Sequence, residues 1–190
     1  MFKAGAIRKY VWQGLDEPIT ELLTLQPYEH GAHAHGTILG VWEQQPIFHA
    51  YLVEYNLLGE VARVAWDTGE LVSHEPGWWV DENGTDRPEF QSCRTVDIRQ
   101  TPFTNTLAIL YAELGTGMSL EIPVIHIDLV TNERVVAVQR YTALQWSPAR
   151  SQYRFQQGNS EADLVVDGDN VVIDYPRLFK RIFPERGQAI

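Results

Sequence analysis

From Ile47 to Leu57 the chain alternates with a period of two. One face carries Ile47, His49, Tyr51, Val53, Tyr55 and Leu57; the other carries Phe48, Ala50, Leu52, Glu54 and Asn56. Successive side chains leave a pleated backbone on opposite faces, so this pattern predicts a strand. Residues 134–142 are rich in β-branched side chains and read the same way, as do 121–129, 161–166 and 171–175. Turn signals fall between such runs. Asp67-Thr68-Gly69 separates two of them, Asn83-Gly84 supplies a pair that tolerates positive φ, and Gly168-Asp169-Asn170 closes another. Short strands joined by regular turns predict a meandering antiparallel sheet.

One segment breaks the pattern. The run from Cys93 to Leu107 reads as a strand that stops at Thr101-Pro102 and continues as a helix over 102–114. Thr101 suits an N-cap, Pro102 the first helical position and Gly115 a C-terminal stop. Phe103, Leu107, Leu110 and Leu114 form one stripe, and Ala108, Ile109, Tyr111 and Ala112 fill most of the rest. A helix that is apolar nearly all round is enclosed rather than amphipathic. At about 13 residues it would be roughly 20 Å long, and covering it takes a large curved sheet. The predicted fold is mainly β: a many-stranded antiparallel sheet rolled around a single central α-helix. No long Pro/Gly/Ser linker or fixed-period repeat divides the chain, so residues 1–190 are read as a single domain.

The chain has 190 residues, 44% of them hydrophobic, enough for a sizeable core. Six Trp, eight Tyr and seven Phe can fill that core or line a ligand pocket. A net charge of −10 argues against nucleic acid as a partner and against passive docking on an anionic membrane. The lone Cys93 excludes an intrachain disulfide, fits a reducing compartment and reads as a buried small hydrophobe. Residues 1–10 carry charges where a signal peptide needs its apolar run, and no run approaches the roughly 20 apolar residues of a spanning helix. These features predict a cytoplasmic protein with no membrane insertion.

Several residues carry candidate chemistry. His30, His33 and His35 have metal-like spacing, but their Gly- and Ala-rich setting reads as a flexible loop, and no metal is assigned. Asp97, Arg99, Arg140 and Asp174 are charges inside apolar strand runs. Each either anchors a ligand headgroup or pairs and faces solvent. Thr101, Thr104, Asn105 and Thr106 crowd the helix start, where they either cap the helix and tie it to the sheet or hold an anion. Adjacent strand residues point oppositely, so at most one of Trp78 and Trp79 faces the core; Trp12, Trp42, Trp66 and Trp146 line a cavity or fill the core. Arg177, Lys180, Arg181 and Arg186 form a basic end with Leu178, Phe179, Ile182 and Phe183 packed inward. There is no nucleophile elbow, phosphate-cradling glycine loop or dinucleotide fingerprint, and no cofactor is implied.

The Cys-x-x-Val-Asp-Ile run of 93–98, leading into Thr101-Pro102-Phe103-Thr104-Asn105-Thr106, resembles a bacterial family labelled "putative glycolipid-binding". Gln139-Arg140-Tyr141-Thr142 with Tyr153-Arg154-Phe155 is similar to it too, as is Val165-Val166-Asp167 with 172–179. So, less distinctively, is Gly36-Thr37-Ile38-Leu39-Gly40 with Tyr51-Leu52-Val53. The resemblance implies a spiral β-roll about one helix, a homodimer, a lipid or glycolipid partner and no established catalytic set. Ala108 stands where a proline is common in the family, and Arg177 where a glycine is common after Tyr-Pro. Candidate ligand contacts are Asp97, Thr101, Asn105, Arg140, Tyr141, Asp174 and Tyr175. The leading expectation is a non-enzymatic binder of an amphipathic small molecule. One alternative is an enzyme using Asp97, Arg140 and Asp174 near the helix start, and another is a structural or interaction homodimer without a small ligand. Should Phe103, Leu107, Ile109 and Leu110 fill the roll, no room is left inside it for an acyl chain.

Overall fold

The computed structural model describes residues 5–184. Among these the chain is mainly β, with fourteen strands and one α-helix. The first seven strands are β1 (Arg8–Gly14), β2 (Ile19–Tyr28), β3 (Gly31–Trp42), β4 (Gln45–Asn56), β5 (Val61–Trp66), β6 (Gly69–Glu75) and β7 (Trp78–Asp81). A turn of 3₁₀ helix (Pro88–Phe90), β8 (Thr95–Ile98) and helix α1 (Thr104–Ala112) follow. The chain then forms β9 (Ser119–Asp128), β10 (Glu133–Gln145), β11 (Arg150–Gln157), β12 (Ser160–Asp167), β13 (Val172–Tyr175) and β14 (Phe179–Phe183).

All fourteen strands join one sheet, in the order β7-β6-β5-β4-β3-β2-β1-β14-β13-β12-β11-β10-β9-β8. Neighbours are antiparallel except β8 and β9, which are parallel; α1 provides the crossover that parallel pairing needs. The sheet is not closed into a barrel, since β7 and β8 are its edges. Segments near the two edges nevertheless touch. Val61 N–H donates to Arg94 O (2.8 Å), and Arg134 of β10 reaches Glu82 beyond β7 (2.7 and 2.9 Å) while lying over the Trp66 ring.

Strand β4 follows the alternation of its sequence: Ile47, Tyr51, Val53 and Tyr55 are buried, whereas Phe48 and Ala50 are exposed. Strand β3 corrects an expectation. His33 and His35 are not in a loop but on the outer side of β3, with Ala32, Ala34 and Gly36 buried. Small residues are required there because β4 places Tyr55 opposite Ala32 and Tyr51 opposite Gly36. A Cβ on Gly36 would lie 2.0 Å from the Tyr51 ring.

Helix α1 is shorter than the 102–114 expected. Phe103 rather than Thr101 is its N-cap, and the helix ends where Glu113 adopts a left-handed φ of 45°. Thr101 Oγ1 instead accepts the Phe103 N–H (3.0 Å), closing a turn ahead of the helix. Thr104 to Ile109 are buried, while Leu110 to Ala112 are half-buried, so the helix is enclosed at its start and only partly covered at its end. Phe103 and Leu107 are fully buried; removing each from water contributes about 1.5–3 kcal/mol.

Trp79 is buried and Trp78 exposed, as alternation requires. Trp12, Trp42 and Trp66 are buried and Trp146 is exposed. Cys93 is fully buried, and burial pushes its thiol pKa up. At the C-terminal end Phe179 packs inward, but Ile182 and Phe183 are exposed, contrary to expectation. Arg181 takes the inward position instead, pairing with Asp167 (2.5 Å) and lying over the Tyr10 ring. Arg186 lies outside the described residues.

Candidate functional site

The parallel pairing of β8 and β9 sets Asp97 opposite His126. The Asp97 carboxylate accepts from His126 Nδ1 (2.8 Å), Gln139 Nε2 (2.9 Å) and Thr104 Oγ1 (3.2 Å). Those donors come from β9, β10 and α1, so one side chain gathers three elements. Thr104 Oγ1 also accepts the Ile98 N–H (3.1 Å), tying the helix start to β8. Gln139 donates to Gln157 Oε1 as well (2.9 Å). The bond to Asp97 raises the pKa of His126, outweighing burial, which works the other way.

Below this row lies a second network. Glu21, buried on β2, accepts from Thr101 Oγ1 (2.6 Å) and from the Tyr51 hydroxyl. Burial pushes the Glu21 pKa up to about 7 against the effect of those two bonds. Asn105, also buried, donates to Pro102 O (3.2 Å) and accepts from the Tyr141 hydroxyl (2.9 Å). Burial and then the Asp97 charge raise the Tyr141 pKa well above its ordinary value. Tyr141 begins a chain of aromatic contacts across the sheet. Its ring centroid is 5.5 Å from that of Phe155, Phe155 is 6.0 Å from Tyr175, and Tyr175 is 6.4 Å from Phe179.

These groups border a cleft of about 230 Å³. Asp97, Thr101, Asn105, His126 and Gln157 present polar atoms along it, and Phe155, Tyr175, Leu178 and Phe179 form an apolar wall. Arg99 also lines it, but its guanidinium is bound to Asp128 (2.7 Å) and Glu43 (2.6 Å). A neighbouring groove of about 550 Å³ shares Ser160, Tyr175 and Leu178 with it. At the other end of α1, Leu110, Leu114, Trp146 and Tyr153 border a separate cleft of about 490 Å³.

Four of the seven expected contacts, Asp97, Thr101, Asn105 and Tyr175, therefore meet at one cleft, with Tyr141 bonded behind it to Asn105. Arg140 does not join them. It is exposed and paired with Glu121 (3.0 Å), because on β10 it alternates with the inward Gln139 and Tyr141. Asp174 is half-buried opposite Lys180 and is not among the cleft-lining residues. The set Asp97, Arg140 and Asp174 thus does not assemble. The crowd of polar groups at the helix start ties helix to sheet through Thr101, Thr104 and Asn105. In the sequence His126 enters only as a third metal ligand beside His33 and His35, and Gln139 only as part of a motif; Gln157 and Glu21 are not singled out. Among the described residues no three His, Cys, Asp or Glu side chains converge to hold a metal ion, and no helix is long and apolar enough to cross a membrane.

A sequence model of the family described as "Putative glycolipid-binding" matches residues 9–181. The chain belongs to this family. The family match spans both networks and the aromatic chain. The fold is similar to the crystal structure of a DUF1089 family protein from Pseudomonas aeruginosa, with a TM-score of 0.74 and 26% identity, over 85% of this chain and 92% of that one. No match is found among curated proteins. Arg177 has a φ of 70°. The backbone keeps a conformation that glycine adopts freely and an L side chain resists.

Proposed function

We propose that the cleft at the start of α1 binds the hydroxyl-rich head of an amphipathic small molecule of the glycolipid type. The observation that carries this reading is the meeting of an aromatic wall, Phe155, Tyr175 and Phe179, with the convergent polar groups of Asp97, His126 and Gln157. Such a surface suits a sugar-like group, which has apolar ring faces and hydroxyl edges. The apolar part of the ligand runs along the groove past Tyr175 and Leu178. It does not thread the interior, because Phe103, Leu107 and Ile109 fill the space beside the helix.

We also infer that the sheet winds around α1 as a roll. In support, α1 or its lead-in is bonded to β2 through Thr101 and Glu21, to β8 through Thr104 and to β10 through Asn105 and Tyr141. A Cβ on Gly59, between β4 and β5, would lie 2.2 Å from Leu107 O. A homodimer is supported by the outer-face patch of Leu22, Leu39 and Phe48, the last 71% exposed, since apolar patches of this kind mark interfaces. A cytoplasmic setting fits the single, fully buried Cys93.

Titration with octyl β-glucoside below its micellar concentration, followed by tyrosine and tryptophan fluorescence, tests the binding reading. Saturable binding that weakens at least tenfold in Tyr175→Ala and Gln157→Ala, and not in Arg140→Gln, supports it. No saturable binding, or equal weakening by all three, overturns it. Native mass spectrometry of protein taken gently from its host reads any co-purifying lipid directly.

A further inference from the structure

We propose that His126, held by Asp97, acts as a general base and that the cleft hydrolyses a neutral ester of a sugar-like alcohol. This assignment rests on the binding reading above and adds a reaction to it. All three donors to Asp97 are protein groups: His126 Nδ1, Gln139 Nε2 and Thr104 Oγ1. A carboxylate so engaged orients its neighbour instead of taking a proton itself. Because it accepts from Nδ1, that nitrogen carries the hydrogen, and once the ring is neutral Nε2 holds the lone pair. His126 lines the cleft and keeps 21% of its side chain exposed, which places the ring within reach of a small molecule bound there. This is the arrangement a base needs: one ring nitrogen fixed by a carboxylate, the other free to accept.

The surroundings narrow the substrate. Cleavage of a glycosidic bond ordinarily uses two carboxyl groups flanking it, and Asp97 is the single carboxylate lining the cleft. A phosphate or sulfate ester would need an uncommitted cation, whereas Arg99 is already neutralised by Asp128 and Glu43. The hydroxyls of Thr101 and Thr104 are committed to Glu21 and Asp97, and Ser160 is the remaining aliphatic hydroxyl along the cleft; the nucleophile assigned is water. A neutral acyl ester remains, its alcohol portion against the polar groups and its acyl portion toward Tyr175 and Leu178.

The reaction balances without a co-reactant. Water gives a proton to His126 Nε2 as its oxygen bonds to the acyl carbon, and the carbonyl electron pair moves onto oxygen. The intermediate collapses, the bond from acyl carbon to alcohol oxygen breaks, and the departing oxygen takes the proton back from Nε2. The products are a carboxylic acid and the free alcohol. His126 is the catalytic residue and Asp97 a positioning residue.

The test uses 6-O-octanoyl glucose as substrate, with release of octanoic acid as readout, beside octyl β-glucoside binding on the same samples. The kcat for hydrolysis should fall about 10²–10⁴-fold in His126→Gln, the range general-base catalysis supplies, beyond any change in octyl β-glucoside affinity on the same sample. Free imidazole should restore part of the rate to His126→Gly. The rate should rise with pH as His126 loses its proton, in the field of Asp97, Arg99, Asp128, Tyr141 and Tyr175. Asp97→Asn should move that midpoint to lower pH, which a merely structural role would not do. Binding of the glucoside with the ester left intact, or hydrolysed equally by His126→Gln, overturns the catalytic assignment and leaves the binding reading standing. Neither binding nor hydrolysis overturns both.

Discussion

Glu21 allows the interior of the site to be tested by pH alone. It lies on the inward row of β2 with Ile19, Leu23 and Leu25, all buried. Burial moves its pKa from the ordinary 4.5 up to about 7, despite the bonds from Thr101 and Tyr51. Between those two values the folded chain holds a proton that the unfolded chain has released. The contribution of protonated Glu21 to stability is therefore complete below pH 4.5 and lost as pH rises through about 7. The gap corresponds to about 3 kcal/mol, at about 1.4 kcal/mol for each tenfold in proton affinity. Glu21→Gln removes the titration while keeping the shape. Urea denaturation followed by tryptophan fluorescence, run on both proteins from pH 4.5 to 8, isolates the effect. The stability of the wild type minus that of the variant should fall by about 3 kcal/mol across the series. A difference that stays flat or grows with pH refutes the reasoning, because Glu21 would then be ionised in the fold and held there by its two hydroxyl partners.

Leu107→Ala should destabilise by about 2–5 kcal/mol in the same assay, since it opens a cavity beside the enclosed part of α1; a loss under about 1 kcal/mol would place Leu107 against a yielding surface. Tyr141→Phe leaves Asn105 Oδ1 without its short donor and should lose about 1–3 kcal/mol, read as a lower melting temperature. Arg177→Gly relieves a left-handed side-chain conformation and should gain about 0.5–1 kcal/mol, the strain outweighing the freer unfolded chain; a loss would show that the arginine side chain stabilises the turn.

The strands were legible wherever one face is apolar and the other wet, as in β4. They were misread in β3, where Ala32, Ala34 and Gly36 signal a loop locally but serve as small surfaces beneath Tyr55 and Tyr51 of the next strand. The helix was legible as an apolar run, but not its ends. Thr101 looks like a cap, and the bond that draws it away comes from Glu21, eighty residues earlier in the chain. Asp97, Thr101, Asn105 and Tyr175 stood out as polar or amphipathic residues within the motifs around the helix and in 172–179. His126, Gln139 and Glu21 carried a signal that could have found them. Each is a polar residue on an inward row of otherwise apolar strand positions, as Glu21 is between Ile19 and Leu23. What no local pattern contains is the register that brings Asp97 beside His126, which is set by a parallel pairing across the helix.

The pairing of β1 with β14 has a consequence for assembly. From β1 to β7, and from β9 to β14, each strand zips onto the one beside it in the chain, so each half can grow by local hairpin closure. The seam between β1 and β14 joins the halves across nearly the whole chain, and the entropy of loop closure is concentrated there. A permuted chain that fuses the ends of β1 and β14 and opens between β7 and β8 would turn this seam into one more hairpin. It should refold faster than the parent while keeping the same strand neighbours.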